Sequence, residues 1–356
     1  MAGDEAGRRR QRQSEILDSV VEKSRELLAG RVVVVTGGAR GLGQTFGAAL
    51  LRAGAKLAAL DRSWAGSDGF RSDIEKQDSL ALEADITDDA ALDAAYSEVI
   101  GKFGTVDVLI NNAGLVSETL FAPHGHVKLL DTRDTDWQAM FDVNVFGTLK
   151  VLRRFIGPMT ESGHGSVISI VSSGILTSSI GGGYFGARPW SVEMPYQASK
   201  SALATMSFYL AQETFQMGLA VNSVMPGHTR ASWFDDTARA FHESGGDVYF
   251  MRPLVAEHMV PIMLFLSSQA VAREPQRPVT GRLFHVPDWN YDHGYGDYRL
   301  WLDHDLPAEL EAGYRRLEAV LPDYWRAGLA RAPFDVERVV FASGMERLSA
   351  LERQSE

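Results

Sequence analysis

Tyr196 and Lys200 are the residues whose types and spacing point most directly to proton transfer. They stand four positions apart in the segment YQASK, so on a helix the two side chains share one face. A free tyrosine phenol has a pKa of about 10, and a neighbouring ammonium group lowers it by favouring the phenolate. Such a phenol can act as a general acid or base near neutral pH. The pair alone is weak evidence, because most Tyr-x-x-x-Lys pairs lie on ordinary helix surfaces.

A glycine-rich segment, TGGARGLG (36–43), is the second candidate for chemistry. It follows an apolar run and opens a predicted helix. Gly37, Gly41 and Gly43 allow a tight turn and a close approach of the backbone, while the helix N-terminus offers free N–H groups to a pyrophosphate. The spacing G-x-x-x-G-x-G differs from the general dinucleotide fingerprint G-x-G-x-x-G, so a purely structural turn is the alternative.

Polar residues end the next predicted strands. Asp61 ends the second, where a carboxylate can accept hydrogen bonds from adenosine ribose hydroxyls and repel a 2′-phosphate, which favours NAD over NADP. Arg40 and Arg62 argue the other way, since either can reach a phosphate. Asp85 ends the third strand, where it can bond an adenine amine, and NNAG (111–114) ends the fourth. A plain turn is the alternative for each of these residues.

These residues belong to a regular alternation of elements. Apolar runs read as seven strands: RVVVVTGG, KLAALD, SLALEAD, VDVLINNAG, GSVISIVSS, LAVNSVMPG and GRLFHVP. Helix-like segments lie between most of them, the first being GQTFGAALLRAGA, which we expect to end at Gly54. Apolar strands alternating with helices indicate βαβ units and a parallel sheet covered on both faces. The sequence therefore predicts an α/β fold.

Composition excludes several classes of site. The 356-residue chain has a net charge of −11, which argues against a nucleic-acid partner. It has no cysteine, which excludes disulfides, thiolate metal sites and a cysteine nucleophile, and fits a cytoplasmic location. No uninterrupted apolar run is long enough to span a bilayer, and the polar N-terminus does not resemble a secretory signal. We expect neither a membrane nor a nucleic acid as partner.

Both ends of the chain differ from the middle. Residues 1–13 are rich in Arg, Gly and Gln and are predicted to be disordered, whereas 14–28 carry an apolar stripe at helical spacing. The expected division is an N-terminal extension (1–29), a central α/β domain (30–287) and an aromatic and helical C-terminal extension (288–356). We expect both extensions to pack on the main domain or on a neighbouring subunit.

Taken in order, TGGARGLG, Asp61, ADI, NNAG, DVNVFGT, VISIVSS, YQASK and VNSVMPG resemble the short-chain dehydrogenase/reductase family of the classical type. The resemblance covers about residues 30–287. It implies a Rossmann-type, doubly wound parallel sheet and hydride transfer between NAD and an alcohol or ketone. By the same resemblance Tyr196 is the general acid/base, and Lys200 tunes it and holds the nicotinamide ribose. Ser172, with Ser173 as the alternative, polarises the substrate oxygen, and Asn144 helps position a water chain that feeds Lys200.

The resemblance also implies which residues contact the cofactor. Pro226 and Gly227 match the loop near the nicotinamide, but the threonine often found a few positions later is Ala231 here, with Thr229 and Ser232 nearby. The predicted cofactor-binding residues are Gly37, Arg40, Gly41, Leu42, Gly43, Asp61, Arg62, Asp85, Ile86, Asn112, Ala113, Gly114, Tyr196, Lys200, Pro226, Gly227 and Thr229. NADP is the less favoured cofactor.

Ser172 and Tyr196 are separated by more residues than is usual in the family, so 177–194 is interpreted as an insertion beside the active site. It forms either a substrate lid or an interface or surface insertion. The candidate substrate residues are Tyr184, Phe185, Trp190, Trp233 and Phe234. With aromatic residues after position 287, they favour a bulky, apolar or aromatic substrate, although core packing uses the same residue types.

The leading hypothesis is an NAD-dependent alcohol dehydrogenase or ketoreductase. One rival is the same fold performing dihydrodiol oxidation, epimerisation or dehydration, and another is a nucleotide-sensing protein without turnover. His124, His126 and His293 lack the spacing of a recognised metal site, so no metal is predicted. The family often forms dimers or tetramers through the helix that carries YQASK, and a homodimer or homotetramer is expected here.

Overall fold

The computed structural model describes residues 2–125, 127–175, 194–245, 248, 251–271 and 278–320. Within these ranges a single seven-stranded parallel sheet has the order β3-β2-β1-β4-β5-β6-β7. The strands are β1 (Val32–Thr36), β2 (Lys56–Asp61), β3 (Leu80–Glu83), β4 (Val108–Asn111), β5 (Gly165–Ile170), β6 (Leu219–Met225) and β7 (Arg282–His285). The strand order reverses between β1 and β4, and doubly wound sheets bind ligands at that point. The predicted α/β fold and its strands are confirmed.

Helices cover both faces of the sheet. They are α1 (Ala2–Leu28), α2 (Gly41–Arg52), α3 (Asp68–Lys76), α4 (Asp89–Phe103), α5 (Ser117–Leu120), α6 (Asp134–Phe141), α7 (Thr148–Ser162), α8 (Tyr196–Glu213), α9 (Phe234–Glu243), α10 (Val260–Ser268), α11 (Val286–Asp292) and α12 (Ala308–Val320). The predicted first helix of the domain, α2, ends at Arg52 rather than at Gly54. Each of the described helices is too short or too polar to cross a membrane.

Alternate side chains of most strands enter two apolar cores, whereas Arg282 and Leu283 of β7 are exposed. On one face, Val33 and Val35 of β1 pack with residues from α1, α2, α3 and α10. On the other face, Val32 and Val34 pack with residues from α4 and α7. Because both faces are covered, β1 to β6 are largely apolar, and Ser166, Ser169, Asn222 and Ser223 are among the buried polar exceptions. This largely apolar pattern made the strands visible in the sequence. The two cores fix the carboxyl ends of the strands, where the polar residues lie.

The N-terminal segment is helical from Ala2, so the predicted disorder of residues 1–13 is wrong. Arg10 pairs with Asp305 at 3.0 Å, and Gln13 Nε2 donates to the carbonyl of Leu300 at 2.7 Å. Further along α1, the apolar stripe is buried in the sheet core. The N-terminal part of α1 is therefore held by contacts with the C-terminal segment. The composition of residues 1–13 does not reveal these contacts.

The C-terminal segment packs on the main body of the same chain. Trp289, Tyr298 and Trp301 are buried and belong to the same core as β1 and α2. Asn290 Nδ2 donates to the carbonyl of His258 at 2.8 Å. The predicted helix PAELEAGYRRLEAV is present as α12, while residues 321–356 lie outside the described ranges.

Candidate active site

A cavity of about 940 Å³ opens at the carboxyl ends of the central strands. It is lined by the glycine turn, Asp61, Asp85, residues 112–116 and the helix start at Tyr196. Every residue predicted to bind the cofactor lines this cavity except Gly43, which is buried in the turn beneath it. The fold therefore brings together residues from six separate stretches of the sequence.

The glycine turn is shaped so that larger residues would not fit. Gly37 has φ +65°, and a Cβ there would meet Ala113 Cα and Asn112 Nδ2 at 2.9 Å. A Cβ on Gly43 would collide with the carbonyl of Gly37. A Cβ on Gly41 would find no atom closer than 3.9 Å, so the backbone there faces open space. A close-packed turn with an open outer side at the start of α2 suits a dinucleotide pyrophosphate.

Asp61 is held at the cavity wall by its own chain. Its Oδ2 accepts from Ala39 N at 3.1 Å, its Oδ1 accepts from Ser63 N at 3.2 Å, and Arg40 Nη2 lies 4.0 Å away. The carboxylate is buried and lines the cavity, and it retains acceptor capacity because each oxygen has one described hydrogen-bond donor. This geometry fits a pair of ribose hydroxyls.

Asn112 and Asp85, two further polar residues near the turn, form hydrogen bonds that stabilise neighbouring loops. Asn112 Nδ2 donates to the carbonyls of Thr36 and Gly37, both at 3.0 Å, and so ties the end of β4 to the turn after β1. Asp85 Oδ1 accepts from the backbone and the hydroxyl of Thr87. Both residues shape the cavity even before any ligand contact is considered.

Asn144 lies beneath the cavity and is completely buried. It sits in a π-helical turn, Asp142–Gly147, of the kind often found at functional sites. Its Oδ1 accepts from Leu115 N at 2.7 Å, and its Nδ2 donates to Leu115 O at 2.9 Å and to Ser199 Oγ at 2.8 Å. Asn144 therefore fastens the loop after β4 to the helix that carries Tyr196 and Lys200.

Tyr196 and Lys200 share one face of α8, as predicted. Lys200 Nζ lies 5.8 Å from the centre of the Tyr196 ring and donates to the carbonyl of Ile170 at 2.9 Å. Lys200 is buried, and burial lowers its pKa to about 8 because it penalises the charged ammonium. The ammonium group is thus kept close to the phenol at a site where its charge is poorly screened.

Replacing Lys200 by Met should stabilise the cofactor-free protein. The folded pKa of about 8 lies below the unfolded value of 10.5, so the unfolded chain binds more protons between these two values. The burial cost of the charge is fully present below pH 8 and disappears as the pH rises through 10.5. Allowing for the lost hydrogen bond, we expect the Met variant to gain about 2 kcal/mol in free energy of unfolding at pH 7.

Urea unfolding of both proteins at pH 7 and at pH 10.5 measures this difference. The gain should shrink to about zero or below at the higher pH. An equal difference at the two pH values would contradict the charge-burial explanation.

Ser172 is the serine of the pair that lines the cavity. Its Oγ lies 3.3 Å from Gly174 N and 3.2 Å from Gln197 Nε2, both of which donate to it. The oxygen is thus oriented by neighbours on both sides. Ser173, the alternative in the sequence, does not appear on the cavity wall, and this geometry favours Ser172.

The loop after β6 forms the opposite wall. Pro226, Gly227, Thr229, Ala231 and Trp233 all line the cavity. The hydroxyl of Thr229 lies 3.3 Å from the carbonyls of both Pro226 and Gly227, so it stays within its own loop.

A buried histidine supports this loop from behind. His258 Nε2 lies 2.8 Å from Pro226 O, and Nδ1 lies 2.7 Å from Val255 O. Burial lowers the pKa of His258 to about 4. A neutral ring then donates to one of the two carbonyls at physiological pH.

The predicted substrate residues have different outcomes. Trp233 lines the cavity. Phe234 is fully buried in a neighbouring apolar cluster and does not reach the cavity wall. Tyr184, Phe185 and Trp190, with nearly all of the predicted insertion 177–194, lie outside the described residues.

The aromatic residues after position 287 do not support the inference drawn from them about the substrate. Trp289, Tyr298 and Trp301 are buried in the main core, and none of the described residues beyond 287 lines the cavity. Their number reflects the packing of the extension. His293 stacks on Trp289, with ring centres 4.1 Å apart.

Several cavity residues were missed by the sequence analysis. Leu115, Val116, Val143 and Phe146 give the wall an apolar area, and Lys150, which pairs with Asp89, also lines the cavity. The predicted strand ends and the motif DVNVFGT indicated that these segments lie near the site. The sequence pattern did not show which of their side chains face the cavity.

Comparisons with known proteins identify the family. A family model described as short chain dehydrogenase matches residues 31–240. Fluoren-9-ol dehydrogenase of Terrabacter sp. (strain DBF63) is 56% identical over 340 residues, which are 95% of this chain and 94% of that protein. A 3-oxoacyl-(acyl-carrier-protein) reductase of Escherichia coli (strain K12) is 28% identical over 198 residues, 56% of this chain and 73% of that protein.

A solved structure shows the same fold. The 3-ketoacyl-(acyl-carrier-protein) reductase of Brucella melitensis, crystallised with NADH, has a TM-score of 0.58 and 25% sequence identity. The match covers 72% of this chain and 97% of that one. With the parallel sheet, the glycine turn and the grouped Ser172, Tyr196 and Lys200, these matches identify the chain as a member of the short-chain dehydrogenase/reductase family, an NAD(P)-dependent enzyme that interconverts alcohols and ketones.

Proposed function

We propose that this enzyme oxidises a bulky secondary aromatic alcohol of the fluoren-9-ol type to its ketone, with NAD as hydride acceptor. The observation that carries the proposal is that Ser172, Tyr196 and Lys200 line the same cavity as the glycine turn and Asp61. The 56% identity with a fluoren-9-ol dehydrogenase supports the choice of substrate. The apolar wall of Leu115, Val116 and Phe146 provides area for such a ring system.

Each residue has a role that follows from its position. The phenolate of Tyr196 takes the hydroxyl proton of the alcohol, and the phenol returns it in the reverse reaction. Ser172 Oγ donates a hydrogen bond to the same substrate oxygen. Lys200 favours the phenolate by its charge and holds the ribose next to the nicotinamide. The cofactor supplies the hydride chemistry.

Asn144 acts indirectly. Its hydrogen bonds to both backbone groups of Leu115 and to Ser199 keep α8 in register with the loop after β4. It is therefore a positioning residue, and we propose that it also holds water that supplies protons to Lys200.

The preference for NAD rests on Asp61. A carboxylate held at the end of β2 accepts hydrogen bonds from both adenosine ribose hydroxyls, whereas a 2′-phosphate would face its negative charge. Arg40 and Arg62 also line the cavity, but Arg40 lies within 4.0 Å of Asp61 and is partly neutralised by it.

Formation of NADH, followed at 340 nm, tests the proposal. Purified protein is offered NAD or NADP with secondary alcohols graded from small aliphatic to tricyclic aromatic, and the products are identified by mass spectrometry. We expect NADH and fluoren-9-one from fluoren-9-ol, at a higher kcat/KM than for small alcohols. A dehydrated, epimerised or diol-derived product, or a preference for small alcohols, would contradict the proposal.

We further propose that the enzyme works in the cytoplasm as a homodimer or homotetramer. Phe208 and Tyr209 of α8 are 50% and 60% exposed. Large aromatic side chains in such positions are commonly covered by a second copy. Light scattering of the purified protein measures the mass, and a monomer at micromolar concentration would contradict this arrangement.

A further inference from the structure

The cavity wall that contains Trp233 is held from behind by the C-terminal segment. A small backbone ladder joins three stretches, 228–230, 253–255 and 301–303. Arg230 N donates to Leu254 O at 2.9 Å, and Leu254 N donates to His228 O at 2.8 Å. On the other side, Val255 N donates to Trp301 O at 2.9 Å. The loop after β6 is therefore continuous, through hydrogen bonds, with the C-terminal extension.

Arg230 adds an ionic connection between the same parts. Its guanidinium group pairs with Asp235 at 2.7 Å and with Asp303 at 3.0 Å, and it also donates to the carbonyl of Asp305. The hydrogen bonds with Asp235, helped by Asp303, raise the pKa of Arg230 further above its ordinary value. Asp305 in turn pairs with Arg10 of α1. The side chain of Arg230, three residues before Trp233, thus links the start of α9 to the extension.

Arg252 repeats this connection at the far end of the loop. Its side chain is 1% exposed, and its guanidinium group pairs with Glu311 at 2.5 Å and with Glu318 at 2.6 Å, both on α12. It also donates to the carbonyl of Asp303 at 2.9 Å. Burial opposes its charge, yet the two glutamates leave its pKa raised. A buried charge of this kind is held in one geometry, because breaking either ion pair would leave a buried charge without its partner.

An apolar cluster fills the space between these ion pairs. Phe234 and Ala238 of α9 pack with Leu310, Tyr314 and Leu317 of α12. Trp233 packs against the same cluster with part of its surface and lines the cavity with another part. Its indole ring therefore has the extension behind it and the ligand space in front of it.

We propose that the C-terminal segment 299–318 is a substrate-specificity element, with Trp233 as the residue that meets the substrate and Arg230 as the positioning residue that fixes it. The substrate class is a flat polycyclic aromatic alcohol, which gains by stacking against a rigid indole ring. We expect small alcohols, which have little or no ring surface to stack, to gain little from its placement. This inference rests on the proposed function.

The extent of the sequence matches supports this assignment. The segment lies beyond residues 31–240, the part matched by the general family model. The alignment with fluoren-9-ol dehydrogenase covers 95% of the chain and so includes most of the residues beyond position 240. Most of the region beyond position 240 is thus aligned with an enzyme that is named for a tricyclic alcohol.

Arg230→Met tests the proposal. The variant keeps much of the side-chain volume but loses the ion pairs with Asp235 and Asp303. We expect its kcat/KM for fluoren-9-ol to fall at least tenfold more than its kcat/KM for cyclohexanol. The Kd for NADH, measured by fluorescence, should change less than threefold, which separates the effect from general damage. Asp303→Asn removes one of the pairs by a smaller change, and it provides the same comparison if the Met variant does not fold.

Arg31→Met is the matched control. Arg31 is similarly exposed and pairs with Asp107 at 3.1 Å at the opposite ends of the strands. It should leave the ratio of the two kcat/KM values unchanged. Equal losses for both alcohols in Arg230→Met and Asp303→Asn would overturn the specificity assignment alone. If the wild-type enzyme oxidises neither alcohol, the proposed function itself fails.

Discussion

Tyr196→Phe should lower kcat for alcohol oxidation by about 1,000-fold. The substitution removes the hydroxyl group that exchanges the proton with the substrate, and general acid–base catalysis of this kind contributes about 100- to 10,000-fold. The ring remains, so packing at the start of α8 and the contact with Lys200 are kept. Steady-state NADH formation from fluoren-9-ol measures the loss, and the Kd for NADH should stay within about threefold of the wild-type value.

Tyr209→Phe is the matched control for this experiment. Tyr209 lies on the same helix, α8, but its side chain is 60% exposed and does not line the cavity. Loss of its hydroxyl should leave kcat unchanged. Retention of a tenth or more of the wild-type kcat in Tyr196→Phe would remove Tyr196 from the role of general base.

Asp61→Asn should shift the choice of cofactor toward NADP. The amide keeps the size of the side chain and an oxygen for Ala39 N, but it removes the charge that repels a 2′-phosphate. A charged hydrogen bond contributes about 1.5–3 kcal/mol, and about 1.4 kcal/mol is a factor of ten. The ratio of kcat/KM with NAD to kcat/KM with NADP should therefore fall by about 100-fold, with Arg40 and Arg62 then free to bind the phosphate.

Glu83→Gln provides the matched control for Asp61→Asn. Glu83 is the neighbour of Asp61 across the β2–β3 pair, and its side chain is exposed. Removing its charge should change the cofactor ratio less than twofold. A wild-type enzyme that already prefers NADP would contradict the assignment to Asp61 and give the decisive role to the two arginines.

The sheet and most of the cofactor side could be predicted from the sequence, for a physical reason. Strands buried on both faces are largely apolar, so β1 to β6 appear as mostly apolar runs, and the polar residues at their carboxyl ends mark that edge of the sheet. The glycine turn is visible because Gly37 and Gly43 have no room for a side chain. The apolar runs and the glycine spacing are local features of the sequence, although the close packing at Gly37 involves Asn112 and Ala113 at the end of β4.

The support behind the substrate wall could not be predicted in this way. Arg230 and Arg252 look like ordinary surface cations in the sequence, and their partners Asp303, Glu311 and Glu318 lie more than fifty positions further along. The first turns of α1 likewise depend on contacts with residues near position 300. Pairings over such distances leave no periodic pattern, and the aromatic residues of the extension were misread for the same reason.

Transfer of deuterium tests the central claim most directly. Fluoren-9-ol carrying deuterium on C9 is incubated with NAD and the enzyme, and the reduced cofactor is analysed by mass spectrometry and NMR. We expect one deuterium in the nicotinamide C4 position of NADH, with fluoren-9-one as the co-product and with turnover lost in Tyr196→Phe. NADH without deuterium, or ketone formed without reduced cofactor, would contradict direct hydride transfer in this cavity.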